Sequence, residues 1–200
     1  MKTKILSIIL LFSVIAGFSK STYAAAINAD YTLLKEIKAV NKIEVRGNVE
    51  LFISDSPVEQ VKVYNKYYSE NALVQYNNGT LRITSYNAEK LIVWVSTDDL
   101  RAVTAYDNAE VKSFGKLSKI EFDVELHNNA SAKLNLDAYS ANVKLQDHAK
   151  AELSGTATEF GLTANVNTTV VKNEFKAEHF TDNKIYAVTA AKTDDLTILE

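Results

Sequence analysis

The 200-residue chain holds three histidines, His127, His148 and His179, and no cysteine. Imidazole and thiolate are the ligands zinc prefers, and a zinc site needs several of them converging on one point. These histidines follow no HExxH-type spacing, so no metal site is expected. Acidic residues suggest a second chemistry, because two carboxylates about 5–9.5 Å apart can cleave a glycosidic bond. Asp107 and Asp147 recur at equivalent places of a repeat described below, two layers apart. At a strand spacing of about 4.8 Å that separates them by roughly 9.6 Å. One calcium ion, with ligands at about 2.3–2.6 Å, cannot join them. Acids in adjoining columns stay open to carboxylate chemistry. No G-x-S-x-G and no phosphate-cradling glycine loop occurs, and Ser154-Gly155 reads as a corner. No catalytic residue and no cofactor site is expected.

Aromatic residues carry more functional content. Tyr64, Tyr67, Tyr68, Tyr76 and Tyr86 cluster in the first half of the chain. A tyrosine ring offers flat apolar area with a polar tip, which suits a glycan or a protein partner of the envelope. These five are the candidate binding surface. The competing reading is tyrosines packing across a sheet, where aromatics are common.

The elements that must position these groups are strands. Alternation with a period of two dominates: Ile43-Glu44-Val45-Arg46, then Val49-Glu50-Leu51-Phe52-Ile53 beyond Gly47-Asn48. Val61-Lys62-Val63-Tyr64 and Leu73-Val74-Gln75-Tyr76 follow. Asn77-Asn78-Gly79 reads as a hairpin turn into Leu81-Arg82-Ile83-Thr84. Leu91-Ile92-Val93-Trp94-Val95 is nearly all apolar and predicts a strand covered on both faces. Helical spacing occurs only in Leu33-Leu34-Lys35-Glu36-Ile37.

From about residue 100 to 190 a repeat of about 20 residues sets in. Asp107-Asn108-Ala109-Glu110-Val111 corresponds to Asn128-Asn129-Ala130-Ser131-Ala132 and to Asp147-His148-Ala149-Lys150-Ala151, with a worn copy at Asn167-Thr168-Thr169-Val170-Val171. A unit this short cannot bury its apolar face alone, whereas stacked copies share a continuous core. Asp107, Asn128, Asp147 and Asn167 are expected above one another at a corner, since Asn and Asp tolerate left-handed backbone. The pattern predicts an all-β fold, a β-solenoid with a hairpin-rich N-terminal part. The alternative is a β-sandwich of ordinary hairpins.

The N-terminus has the three parts of a secretory signal peptide: basic Met1–Lys4, an apolar run from Ile5 to Phe18, and small residues at Ala24-Ala25-Ala26. The run is shorter than the roughly 20 residues that span hydrocarbon. Cleavage is expected after Ala24 or Ala26, giving a signal peptide over 1–24 and a single domain over 25–200. Without cysteine there is no lipid attachment to a thiol and no disulfide support. Loss of Lys2, Lys4 and Lys20 moves the formal net charge from −3 to about −6. That acidity disfavours nucleic acid and anionic membrane as partners.

The opening Ile43-Glu44-Val45-Arg46-Gly47-Asn48-Val49-Glu50-Leu51 resembles the start of the putative auto-transporter adhesin, head GIN domain family (DUF2807). So do Gly79-Thr80-Leu81-Arg82-Ile83, Leu91-Ile92-Val93-Trp94-Val95 and Leu100. The resemblance covers roughly residues 37 to 190. Its corners depart from the family pattern, with Asp107-Asn108-Ala109 and Asp147-His148-Ala149 where small glycine-rich triplets are usual. The resemblance implies a right-handed β-helix-like fold, export in Bacteroidetes-type bacteria and no established activity. The function expected is therefore a non-catalytic, adhesin-like or ligand-binding module in the periplasm or at the cell surface. The alternatives are a polysaccharide-active enzyme with a carboxylate pair, or a structural protein assembling through its solenoid ends as a homo-oligomer.

Overall fold

The computed structural model describes residues 31–34, 37–64 and 72–185. The signal peptide expected over 1–24, Tyr67 and Tyr68 lie outside them. The described residues form thirteen strands and no helix. They are β1 Thr32–Leu34, β2 Lys42–Gly47, β3 Val49–Ser54, β4 Gln60–Val63, β5 Ala72–Asn77, β6 Thr80–Ser85, β7 Leu91–Ser96, β8 Ala102–Tyr106, β9 Glu110–Ser113, β10 Leu117–Leu126, β11 Ser131–Leu145, β12 Lys150–Asn165 and β13 Thr169–Ile185. All join one open sheet that curls over a common core.

Alternation explains each strand. In β3, Val49, Leu51 and Ile53 are buried while Glu50, Phe52 and Ser54 are half-exposed on the other side. Neighbouring strands repeat the pattern in register, so like residues stack. Ile43, Val103, Val124, Val143 and Leu162 form one buried column across five strands. Each such side chain contributes about 1.5–3 kcal/mol by leaving water, and no layer could bury its own face without the next.

From β8 onward the pairing is parallel, at offsets of 19 to 21 residues. Val103 lies opposite Val124, Val124 opposite Val143, and Ala151 opposite Val170. Parallel neighbours need a long return path, which the 20-residue period supplies. The long strands serve two ladders at once: β11 pairs with β9 through residues 131–133 and with β10 through residues 136–145.

The N-terminal layers stack out of chain order. The β2–β3 layer sits between β6–β7 on one side and β8–β9 on the other. Antiparallel β5 and β4 pair with β6 and β7, and β1 pairs with β4. Asn78 and Gly79, at φ 46° and 79°, link β5 to β6, the two positive-φ central residues of a type I′ hairpin. Gly47, at φ 84°, turns β2 into β3, where an added Cβ would stand 2.1 Å from the Ser85 carbonyl oxygen.

The later corners are built alike. Ala109 N–H donates to Tyr106 O, Ala130 N–H to His127 O and Ala149 N–H to Gln146 O, at 3.0–3.2 Å. The residue after each acceptor is left-handed: Asp107, Asn128 and Asp147 have φ of 61°, 58° and 58°. Their side chains bind the corner below, since Asp107 N–H donates to Asn128 Oδ1 and Asn128 N–H to Asp147 Oδ2. Ala109, Ala130 and Ala149 point inward and are fully buried. In the fourth corner Thr168 N–H donates to Asn165 O, and Thr169 lies opposite Lys150. Val166 therefore stands over Asp147, and Asn167 stands one place on, over His148.

Two local expectations need correction. Leu33 and Leu34, read with helical spacing, belong to β1, because antiparallel pairing with Val61 and Lys62 outweighs a five-residue pattern. β7 is covered on one face only: Leu91, Val93 and Val95 are buried, whereas Ile92 and Trp94 are half-exposed.

Candidate functional site

Trp94, the one tryptophan of the chain, stands on the outer face of β7 between two register partners, Phe52 of β3 and Lys62 of β4. The Phe52 and Trp94 rings stack, with centroids 5.5 Å apart and planes 20° from parallel. Phe114, just beyond β9, tilts against the indole at 4.7 Å and is 62% exposed. Trp94 Nε1 donates to Ser54 Oγ at 3.2 Å, and Ser54 Oγ shares a 2.8 Å hydrogen bond with Ser96 Oγ. The indole is thus fixed in orientation while part of it stays in contact with solvent.

Trp94, Phe114, Ser54 and Ser96 line an open cavity of about 690 Å³, together with Asp55, Ser56, Lys62, Tyr64 and Lys116. Tyr64 is placed by its N–H, which donates to Ile92 O at 2.8 Å, and its ring packs at 5.2 Å from Tyr31. Both carboxylate oxygens of Asp55 are engaged, one by Lys119 Nζ at 2.5 Å and the other by the Ser118 N–H at 2.8 Å. An aromatic wall, paired hydroxyls and lysine ends in a cavity of this size suit a small polar ligand with apolar faces.

The five candidate tyrosines do not gather at one place. Tyr64 lies in the Trp94 cavity. Tyr76, on β5, packs against the core and donates its hydroxyl to Lys38 O. Tyr86, after β6, is 71% exposed and donates to Asp107 Oδ2 at 3.2 Å. The Asp107 charge beside it raises the Tyr86 pKa above the usual phenol value. Tyr67 and Tyr68 are outside the described residues.

Trp94, Phe52 and Phe114 were not among the residues singled out from sequence. A signal for two of them exists. Val49-Glu50-Leu51-Phe52-Ile53-Ser54 and Leu91-Ile92-Val93-Trp94-Val95-Ser96 share one pattern, with an aromatic at the fourth place and Ser at the sixth. Like places on paired parallel strands become neighbours.

Several of the glutamates are spent on lysine and arginine, while Asp107 accepts from the Tyr86 hydroxyl and Asp147 from the Asn128 N–H. Glu44 meets Lys42 and Arg82, Glu110 meets Lys90 and Lys112, and Glu50 meets Lys112. Hydrogen bonds from Lys42, Lys90 and Lys144 hold the Glu44, Glu110 and Glu125 carboxyls below the ordinary range. The Glu50 carboxylate holds the Lys112 ammonium above its own. A glycosidase needs one carboxylic acid with a raised pKa, and these shifts run the other way.

The histidines lie apart. The His127 ring stacks on Tyr106 at 4.6 Å, and Arg46 covers the other side of that tyrosine at 3.7 Å. Nε2 of His127 is buried without a hydrogen-bond partner, 3.4 Å from Glu125 Oε1. His148 sits exposed at its corner, and His179 lies 3.9 Å from Glu159. Among the described residues, no three His, Asp or Glu side chains are grouped to hold a metal ion.

Several solved structures resemble this fold. A putative adhesin from Bacteroides fragilis superposes with a TM-score of 0.70 at 15% identity, over 78% of this chain and 76% of its own. A putative adhesin from Parabacteroides distasonis gives 0.59 at 14% identity, over 78% of each chain. A putative lipid binding protein from the same species gives 0.56 at 11% identity, over 77% of each. At such identities the likeness is one of fold. Comparison with proteins of curated function found no match. The family model of the putative auto-transporter adhesin, head GIN domain matches residues 39–186, essentially the whole of the layered sheet, and the chain belongs to that family (DUF2807).

Proposed function

We propose that the protein is an exported, non-catalytic, adhesin-like module of the cell envelope that holds its ligand in the Trp94 cavity. The observation that carries this reading is the cavity itself, where an oriented indole, Phe114 and Tyr64 meet the Ser54–Ser96 hydroxyl pair. Flat rings beside fixed hydroxyls complement the apolar faces and polar rims of sugar rings. Family membership and the adhesin-named fold relatives support the same role.

Export follows from the signal peptide over residues 1–24, leaving residues 25–200 as one domain. Its layers wind as a right-handed solenoid, a reading supported by the parallel pairing at 19- to 21-residue offsets. Among the described residues, the carboxylates with shifted pKa values, Glu44, Glu110 and Glu125, are lowered, which speaks against a polysaccharide-cleaving pair.

The test uses the secreted protein on a glycan array, followed by titration of each bound sugar against Trp94 fluorescence. With a single tryptophan, any spectral change arises in the cavity. Binding is expected to shift the emission and to vanish in Trp94→Ala at unchanged stability. Array binding that leaves both emission and the W94A variant unaffected would place the ligand elsewhere.

A further inference from the structure

We infer that the ligand of the Trp94 cavity is an acidic saccharide, its sugar ring against Trp94 and Phe114 and its carboxylate held between Lys62 and Lys116. This rests on the cavity being the binding site and adds the charge class of what it binds. The chain carries formal net charge −3, yet this cavity has the opposite sign. Lys62 lies opposite Trp94 in the ladder and has no carboxylate partner among the described residues. Its Nζ stands 5.2 Å over the Tyr31 ring, a contact that orients the ammonium without neutralising it.

Lys116, also lining the cavity, has only a 3.4 Å contact with Asp137, and both side chains are at least half-exposed. An exposed pair of that kind is worth little and gives way readily. Among the described residues, the sole acid lining the cavity, Asp55, is already neutralised by Lys119 and bonded by the Ser118 N–H. Lys112, near Phe52, is committed to Glu50 and Glu110. Two ammonium groups therefore remain for an anion, beside hydroxyls and ring faces that fit a sugar. A hydrogen bond to a charged group is worth about tenfold or more in affinity.

The experiment titrates the secreted protein with matched oligosaccharides bearing uronate or sialate carboxylates and with their methyl esters, which keep the ring and lose the charge. Trp94 emission is the readout. The acids are expected to bind about tenfold or more tighter than the esters, with the gap closing as salt rises. Lys62→Met should narrow the gap between acid and ester, and Lys62→Met combined with Lys116→Met should close it. Equal binding of acid and ester overturns the charge inference and leaves the cavity as a sugar site. No emission change with any saccharide overturns both.

Discussion

The contact between Asp55 and Lys119 offers a sharp test of the physical reasoning. Lys119 lies on β10 with its side chain only 4% exposed, and Asp55 follows β3 at 21%. Lys119 Nζ reaches Asp55 Oδ1 at 2.5 Å and Asp98 O at 2.7 Å, tying segments 64 residues apart in sequence. An ammonium that deep depends on its counter-ion. Removing one partner of a buried pair costs about 3–5 kcal/mol, because the other charge is left without compensation. Asp55→Ala should therefore lose about that much, a large share of the roughly 5–15 kcal/mol typical of a domain. Lys119→Met should cost less, since Asp55 is more exposed and keeps its bond from the Ser118 N–H. In the double variant no buried charge remains, so its loss should fall well below that of Asp55→Ala alone. Urea unfolding followed by Trp94 emission gives each value at constant slope, and Asp55→Asn replaces Asp55→Ala if the latter does not fold. Strictly additive losses, or a double variant weaker than Asp55→Ala, would refute the account.

At the corners, Asn128→Gly should cost only the bond its Oδ1 accepts from the Asp107 N–H, about 1 kcal/mol or less, while Asn128→Val should cost about 1–2 kcal/mol more for forcing a branched residue into left-handed backbone. Chemical denaturation of both variants checks this, and equal losses would show that the φ of 58° is not what selects the residue. Stability should also fall in acid. Glu44, Glu110 and Glu125 have folded pKa values below their ordinary 4.5, so their contribution is present above that value. It is lost as pH drops through the lowered ones. Lys112, raised above 10.5, contributes below that pH and loses its contribution as pH rises beyond it. Thermal midpoints across pH should slope down at both ends, and Glu44→Gln should flatten the acid limb; an unchanged limb would argue against the Lys42 contact.

Much of the local architecture follows from residue order alone. Alternation in Val49–Ser54 or Leu81–Thr84 states which side chains face the core, because the strand period is two whatever the neighbours are. Asp107, Asn128 and Asp147 mark bends, because few residue types accept left-handed backbone. Their spacing states the layer length. Periodicity carries no information about which strands pair, however, and there only the tertiary structure decides. It inserts the first layer, β2–β3, between β6–β7 and β8–β9. It sets Val166 rather than Asn167 over Asp147 at the last corner, and changes the β12–β13 register only beyond that corner, between Glu152 and Ser154.

The candidate site shows the same division. A count of tyrosines along the chain groups Tyr64 with Tyr76 and Tyr86, and strand pairing separates them, since β4 joins β7 whereas β5 joins β6 on the other half of the sheet. The cavity is made of Trp94, Lys62 and Phe114, drawn from segments up to about fifty residues apart. Alternation determines that Lys62 faces outward, whereas the apolar run around Trp94 reads as covered on both faces and only the tertiary structure leaves its outer face open. Strand pairing, driven by the stacking of buried Val, Leu and Ile columns beneath, decides that they face one another.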